Sequence, residues 1–145
     1  MNLQRSTRYG LYAAAELARG EGREPLAVAR VAATYGIPEA VLAKVFQRLT
    51  REGVAVGTRG AGGGYHLARP ASEITLLEVV EAFEPVGSPG TCLLHGCSAR
   101  CCEQPASCVL RQVFDEVDDL NRTTLAAISL ATLVGHRRPA AGGTT

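Results

Sequence analysis

All five cysteines of the chain fall within TCLLHGCSARCCEQPASC, between Cys92 and Cys108. Thiolates are soft ligands, suited to iron-sulfur clusters or to zinc. Cys97, Cys102 and Cys108 are separated by four and five residues, loops long enough to wrap a cluster broader than one ion. The short C-x2-C knuckle of a zinc finger is missing from that trio, so zinc is the second choice. A purely thiol-based redox switch is a further alternative. Buried, inert cysteines are a poor reading of a glycine-rich, polar segment with little core to offer. Histidines add little, because His66, His95 and His136 are scattered with no nucleophile or acid pair beside them, and an enzyme is not expected.

The chain around this segment is about one domain long, at 145 residues. Its composition, 46% hydrophobic and 20% charged, is that of a globular protein, and no apolar stretch is long enough to span a bilayer. The N-terminus MNLQRSTRYG has no apolar run with a cleavage site, so a cytoplasmic protein with no membrane partner is expected. In that reducing compartment clustered thiols read as a metal or redox site before they read as disulfides. The net charge of +1 hides an asymmetry: residues 1–70 hold ten basic and five acidic side chains, residues 71–145 five basic and nine acidic. A basic half suits a polyanion.

The elements that must position these residues follow from periodicity. Ser6 or Thr7 is placed to cap a first helix, with Leu11, Ala14, Ala15, Leu17 and Ala18 on its buried face and Gly20 ending it. A second helix is predicted from about Ala27 to Tyr35, broken by Gly36. Pro38 starts a third, in which Val41, Leu42, Val45, Phe46 and Leu49 repeat at helical spacing up to Gly53. Two helices joined by a short glycine-containing turn form a helix-turn-helix. Next, VAVGT and YHLAR flank RGAGGG, which reads as a two-stranded hairpin and makes the unit a winged helix. Thr75 and Glu78 make a capping box for a fourth helix from about Leu76 to Phe83, stopped by Pro85.

From about Pro105 a long helix carries Leu110, Val113, Val117 and Leu120 on one face, near heptad spacing. That stripe calls for a partner, and a homodimer is expected because helix-turn-helix readers use two half-sites. A short helix near Ser129–Val134 precedes HRRPAAGGTT, a tail with no packing signal that is expected to be disordered. The resulting class is mainly α, a winged helix-turn-helix with a long C-terminal dimerisation helix. Its expected divisions are a DNA-binding domain at 1–84, a cysteine-rich loop at 85–108, dimerisation and final helices at 109–134 and a tail at 135–145.

In a helix-turn-helix the second helix presents its first turns to base edges in the major groove. Glu39, Ala40, Ala43 and Lys44 occupy those turns here, and Lys44 is the one clear donor for phosphate or guanine. Arg48, Arg51, Arg59 and Arg69 are expected to contact the backbone or a groove, giving affinity and salt dependence. Arg59 stands out, beside the glycine turn where Gly62 and Gly63 allow the wing to approach DNA closely.

Taken together, TRYGLYAA, VAATYGIPEAVLAKVFQRLTREG, RGAGGGYHLARPASEITLLEVVEAFEP and CSARCCEQPASCVLRQVF resemble the Rrf2 family of winged-helix regulators, up to about Val134. The resemblance implies a dimer crossed by the long helix, bound to double-stranded promoter DNA and controlled, most often as a repressor, by an iron-sulfur cluster near the dimer interface. By position, the family's three cluster cysteines fall on Cys97, Cys102 and Cys108. The fourth ligand departs from the pattern. IscR-like members carry a histidine where this chain has Arg111, and NsrR-like members an acid where it has Arg8. A guanidinium has no lone pair to give to iron. Cys92, Cys101 and His95 are the local substitutes, with Cys92 favoured because it would complete an all-cysteine site. A 2Fe-2S cluster is favoured over 4Fe-4S. The cysteine string is closer to the nitric-oxide-responsive NsrR branch, so nitric oxide, redox state or iron-sulfur status are the signals implied. From another functional class, an iron-sulfur electron carrier or cluster-delivery protein would use the same cysteines, with the helix-turn-helix as scaffold alone.

Overall fold

A computed structural model describes residues 2–87, Cys92 and residues 108–135. Helices α1 (Arg5–Arg19), α2 (Val28–Tyr35) and α3 (Glu39–Arg51) are followed by strands β1 (Ala55–Thr58) and β2 (Gly64–Leu67). A single 3-10 turn at Ala71–Glu73 leads to α4 (Leu76–Glu81), and α5 (Val109–Ala127) and α6 (Leu130–Gly135) complete the described chain.

The apolar periodicity of the first three helices is realised as burial. Ala13, Ala14, Leu17, Val31, Ala32, Leu42, Val45, Phe46 and Leu49 form one core with Ile74, Val79 and Leu130. Phe46 is fully buried and stacks on Tyr65 of the wing at a centroid separation of 4.8 Å, so α3 and β2 are locked together. Gly36 ends α2 in the left-handed conformation, as a helix stop before the turn into α3 requires.

The start of α1 differs from its sequence-based expectation. Neither Ser6 nor Thr7 caps it; the N-cap is Gln4, with no side-chain cap. Thr7 is instead buried inside the helix, where its hydroxyl donates to the Glu84 carboxylate. A tertiary acceptor has outcompeted the local backbone for that hydroxyl. Pro38 is likewise the N-cap of α3 rather than its first helical residue, and α4 ends at Glu81, short of Phe83. The Thr75–Glu78 capping box forms as expected, with both reciprocal bonds present.

The wing is an antiparallel pair in which Ala55 faces Leu67 and Thr58 faces Gly64. It is tied to the helices by a bridge that periodicity did not reveal: Leu26 and Tyr65 exchange backbone hydrogen bonds of 2.9 and 3.0 Å. A side chain at position 64 would strike the Leu26 carbonyl, so glycine is required there for the two backbones to meet.

After α5 the chain returns to the head. Leu76 N donates to Ile128 O and Leu130 N to Ile74 O, and Leu130 enters the core fully buried. The last helix therefore packs with the winged head, against α1 and the 3-10 turn. No helix among the described residues is long and apolar enough to cross a membrane.

Candidate nucleic-acid interface and cysteine segment

Helix α3 is sided: Leu42, Val45, Phe46 and Leu49 are buried, while Glu39, Ala40 and Lys44 are exposed and Ala43 is half-exposed. Ala40, Ala43 and Lys44 belong to one outward stripe that Gln47, also exposed, extends at helical spacing. Gln47 was not among the expected residues, although its spacing from Ala40 was legible. It can pair with adenine through two hydrogen bonds. Glu39 lies in the first turn, where a carboxylate also favours the positive end of the helix dipole. Lys44 and Arg59 have no ion-pair or hydrogen-bond partner among the described residues, and both are exposed.

The wing tip turns on Gly60 and Gly62, both at positive φ, and Gly63 N donates to Gly60 O at 2.9 Å. A Cβ at Gly63 would lie 2.6 Å from the Thr58 carbonyl oxygen. Gly63 is thus needed to close the hairpin, whatever it approaches beyond it.

Two arginines expected at a groove also have partners within the chain, while staying partly exposed. Arg69 pairs with Glu78 at 2.5 Å and donates to the Glu73 carbonyl at 3.2 Å. Burial works to raise the Glu78 carboxyl, but the Thr75 backbone N–H and the Arg69 guanidinium outweigh it and hold the group below its ordinary value. Arg48 donates from Nε to the Ala82 carbonyl at 2.6 Å, with Glu52 at 3.8 Å on the same helix. It reaches the end of α4 from a position one turn beyond Lys44, and its side chain stays 45% exposed.

Of the four expected cluster ligands, Cys97 and Cys102 lie outside the described residues, as do Cys101 and His95. Cys92 and Cys108 are described, and both are half-buried. Cys108 is the N-cap of α5. One turn further on, Arg111 Nε lies 3.7 Å from the Asp115 carboxylate, and Arg8 is exposed on α1.

Helix α5 is amphipathic in the opposite sense to α3. Four of its half-buried positions are polar, Arg111, Asp115, Asp118 and Asn121, and the fifth, near its end, is Leu125. Its outward face carries Val109, Leu110, Val113, Phe114, Val117 and Leu120, each between 44% and 68% exposed.

A family described as "Iron-dependent Transcriptional regulator", Rrf2, matches residues 3–136. The chain belongs to the Rrf2 family. Among curated Rrf2-type relatives, BadM of Rhodopseudomonas palustris, named as an HTH-type transcriptional regulator, is 34% identical over 134 residues, covering 92% of this chain and 81% of that protein. The fold is shared with CymR of B. subtilis, described as the global cysteine regulator, at a TM-score of 0.79 and 23% identity, over 95% of this chain and 99% of that one. It is shared also with IscR of T. potens, at a TM-score of 0.74 and 23% identity, over 93% and 87% of the two chains. This Rrf2 chain is accordingly a transcriptional regulator with a DNA-binding winged helix, and not an enzyme.

Proposed function

We propose that this regulator binds double-stranded promoter DNA as a homodimer and that an iron-sulfur cluster on the cysteine segment controls the binding. The observation that carries the reading is the confinement of all five cysteines to residues 92–108, in a chain whose basic half forms the winged head. The donor set fits such a group. Cys97, Cys102 and Cys108 supply three thiolates and Cys92 a fourth, while Arg8 and Arg111 have no lone pair to offer. A cluster held there would supply reactivity toward oxidants, nitric oxide or iron loss, and 2Fe-2S is the favoured type. Contact with DNA is assigned to Glu39, Ala40, Ala43, Lys44 and Gln47 in the major groove, and to Arg59, Gly62 and Gly63 on the wing.

The homodimer rests on α5. Its exposed apolar face is continuous, and a solvated face of that composition is costly unless a second surface covers it. A second copy presents the same stripe, as a two-fold contact requires.

A regulator switched by thiol oxidation is the second reading, supported by the fold shared with S. aureus CymR, solved in an oxidized form. Anaerobic purification with iron and sulfide assays and ultraviolet-visible spectra separates the two. The cluster reading expects a coloured protein with bound iron and sulfide, an altered spectrum in Cys92→Ala, wild-type spectra in Cys101→Ala and His95→Ala, and operator affinity that changes when the cluster is removed. A colourless, iron-free protein that binds its operator fully would end it.

A further inference from the structure

The residues just before the cysteine segment form a knot. Glu81 pairs with Arg122 of α5. The carbonyl of Ala82 accepts from Arg48 of α3 at 2.6 Å. The ring of Phe83 fills the space left by the missing side chain of Gly10 on α1. Glu84 accepts from the Gln4 backbone N–H at 2.8 Å and from the buried hydroxyl of Thr7. Val86 is buried, and Gly87, at φ +80°, lies against Asp118 of α5. Within seven residues the chain grips three different helices, and Cys92 follows five residues later.

The bond to α3 is the informative one. The last carbonyls of a helix have no intrahelical donor, and Ala82 is almost fully buried, so its carbonyl depends on a tertiary partner. Arg48 provides it from the same helix that carries Lys44, one turn away. A shift of the Glu81–Gly87 corner must therefore either carry the C-terminal half of α3 with it or leave a buried acceptor unpaired.

Resting on the cluster reading above, we infer that Arg48 is a positioning residue that couples the state of the cysteine segment to the recognition helix through the Ala82 carbonyl. Its side chain acts through α3 and the corner, and the DNA contacts belong to the outward stripe. Anything that moves Cys92 or the start of α5 pulls on Glu81, Glu84 and Gly87, and Arg48 conveys that pull to α3.

The test compares the full-length wild type with Arg48→Met, Glu84→Gln and Arg122→Met. The probe is a duplex recovered from a random-core library by selection with anaerobically purified wild type. Affinity is measured for anaerobic protein and for the same sample stripped with ferricyanide and EDTA, across a salt series. Hydrogen exchange is followed at residues 47–51. For the wild type an affinity ratio between the two states of about fivefold or more is expected, within the usual range of allosteric coupling. In Arg48→Met the ratio falls towards one, the salt slope stays that of wild type, and the α3 amides exchange faster. Glu84→Gln and Arg122→Met, which leave α3 untouched, lower the ratio in the same direction and keep the test open should Arg48→Met fail to fold.

An unchanged ratio in all three variants, beside a wild type that does respond, overturns the coupling and leaves the cluster reading standing. A loss of affinity by the same factor in both states of Arg48→Met, with the salt slope reduced by about one, would make Arg48 a phosphate contact and overturn the inference too. A wild type that holds a cluster yet binds equally with and without it overturns the control itself, and the coupling with it.

Discussion

The winged head and α5 solve the same problem in opposite ways. Both are amphipathic, but the head turns its apolar side inward, burying Phe46, Leu42, Leu49, Ile74 and Leu130 within one chain. Helix α5 turns polar residues towards the head and leaves Val109 to Leu120 outside. The head is complete as a monomer, whereas α5 has spent its inward face on ion pairs such as Glu81–Arg122 and offers its apolar face to another surface. Disruption in the head should therefore cost folding, and disruption on α5 should cost assembly.

The sharpest break between the two is a pair of substitutions. Phe46→Ala empties the centre of the head and removes the Tyr65 stack, and should destabilise the protein by about 3–5 kcal/mol in chemical denaturation. Val117→Asp should leave the circular dichroism of the head intact but convert a dimer to a monomer in light scattering, with operator affinity falling about 100-fold through loss of the second half-site. If Val117→Asp unfolds the head, or leaves the dimer unchanged, the contrast fails. Gly10→Ala comes next. It forces a methyl group into the Phe83 ring and should cost about 1–3 kcal/mol, read as a lower melting temperature.

Smaller effects sharpen the same division on the head's surface. Lys44→Gln and Arg59→Gln should leave folding unchanged, weaken binding across sequences and each reduce the salt slope by about one. The smallest expected effect is that of Glu78→Gln, about 1 kcal/mol or less because the Arg69 pair is partly solvated. Its sign with pH is fixed. A carboxyl held below its ordinary value contributes stability that is fully present above the unfolded pKa, about 4.3, and is lost as pH falls through the folded value. The difference in stability between Glu78→Gln and wild type should hence shrink on acidification below about pH 4 in denaturation curves.

Much of this was written in local order. Helical spacing gave α1 to α3 and the stripe on α5; Gly36 gave the end of α2 and the Thr75–Glu78 box the start of α4; RGAGGG gave the wing. These features depend on residues within a few positions of one another, where backbone geometry and side-chain periodicity act directly. The outward face of α3 was readable for the same reason, and so was the crowding of thiols.

Only the folded chain decided which polar side chains were already occupied. Thr7 looked like a cap and became a buried donor to Glu84, 77 residues away. Arg48 and Arg69 looked like surface charges alone; both stay partly exposed, but the fold also gives them the Ala82 carbonyl and Glu78 as partners. The Leu26–Tyr65 bridge, and the return of Leu130 into the core, likewise join segments with no mutual signal in sequence. The physical reason is one of range. Apolar periodicity is enforced by each element's own geometry, whereas a hydrogen-bonding group takes whichever partner the tertiary fold brings near, and its choice is invisible until the distant residue arrives.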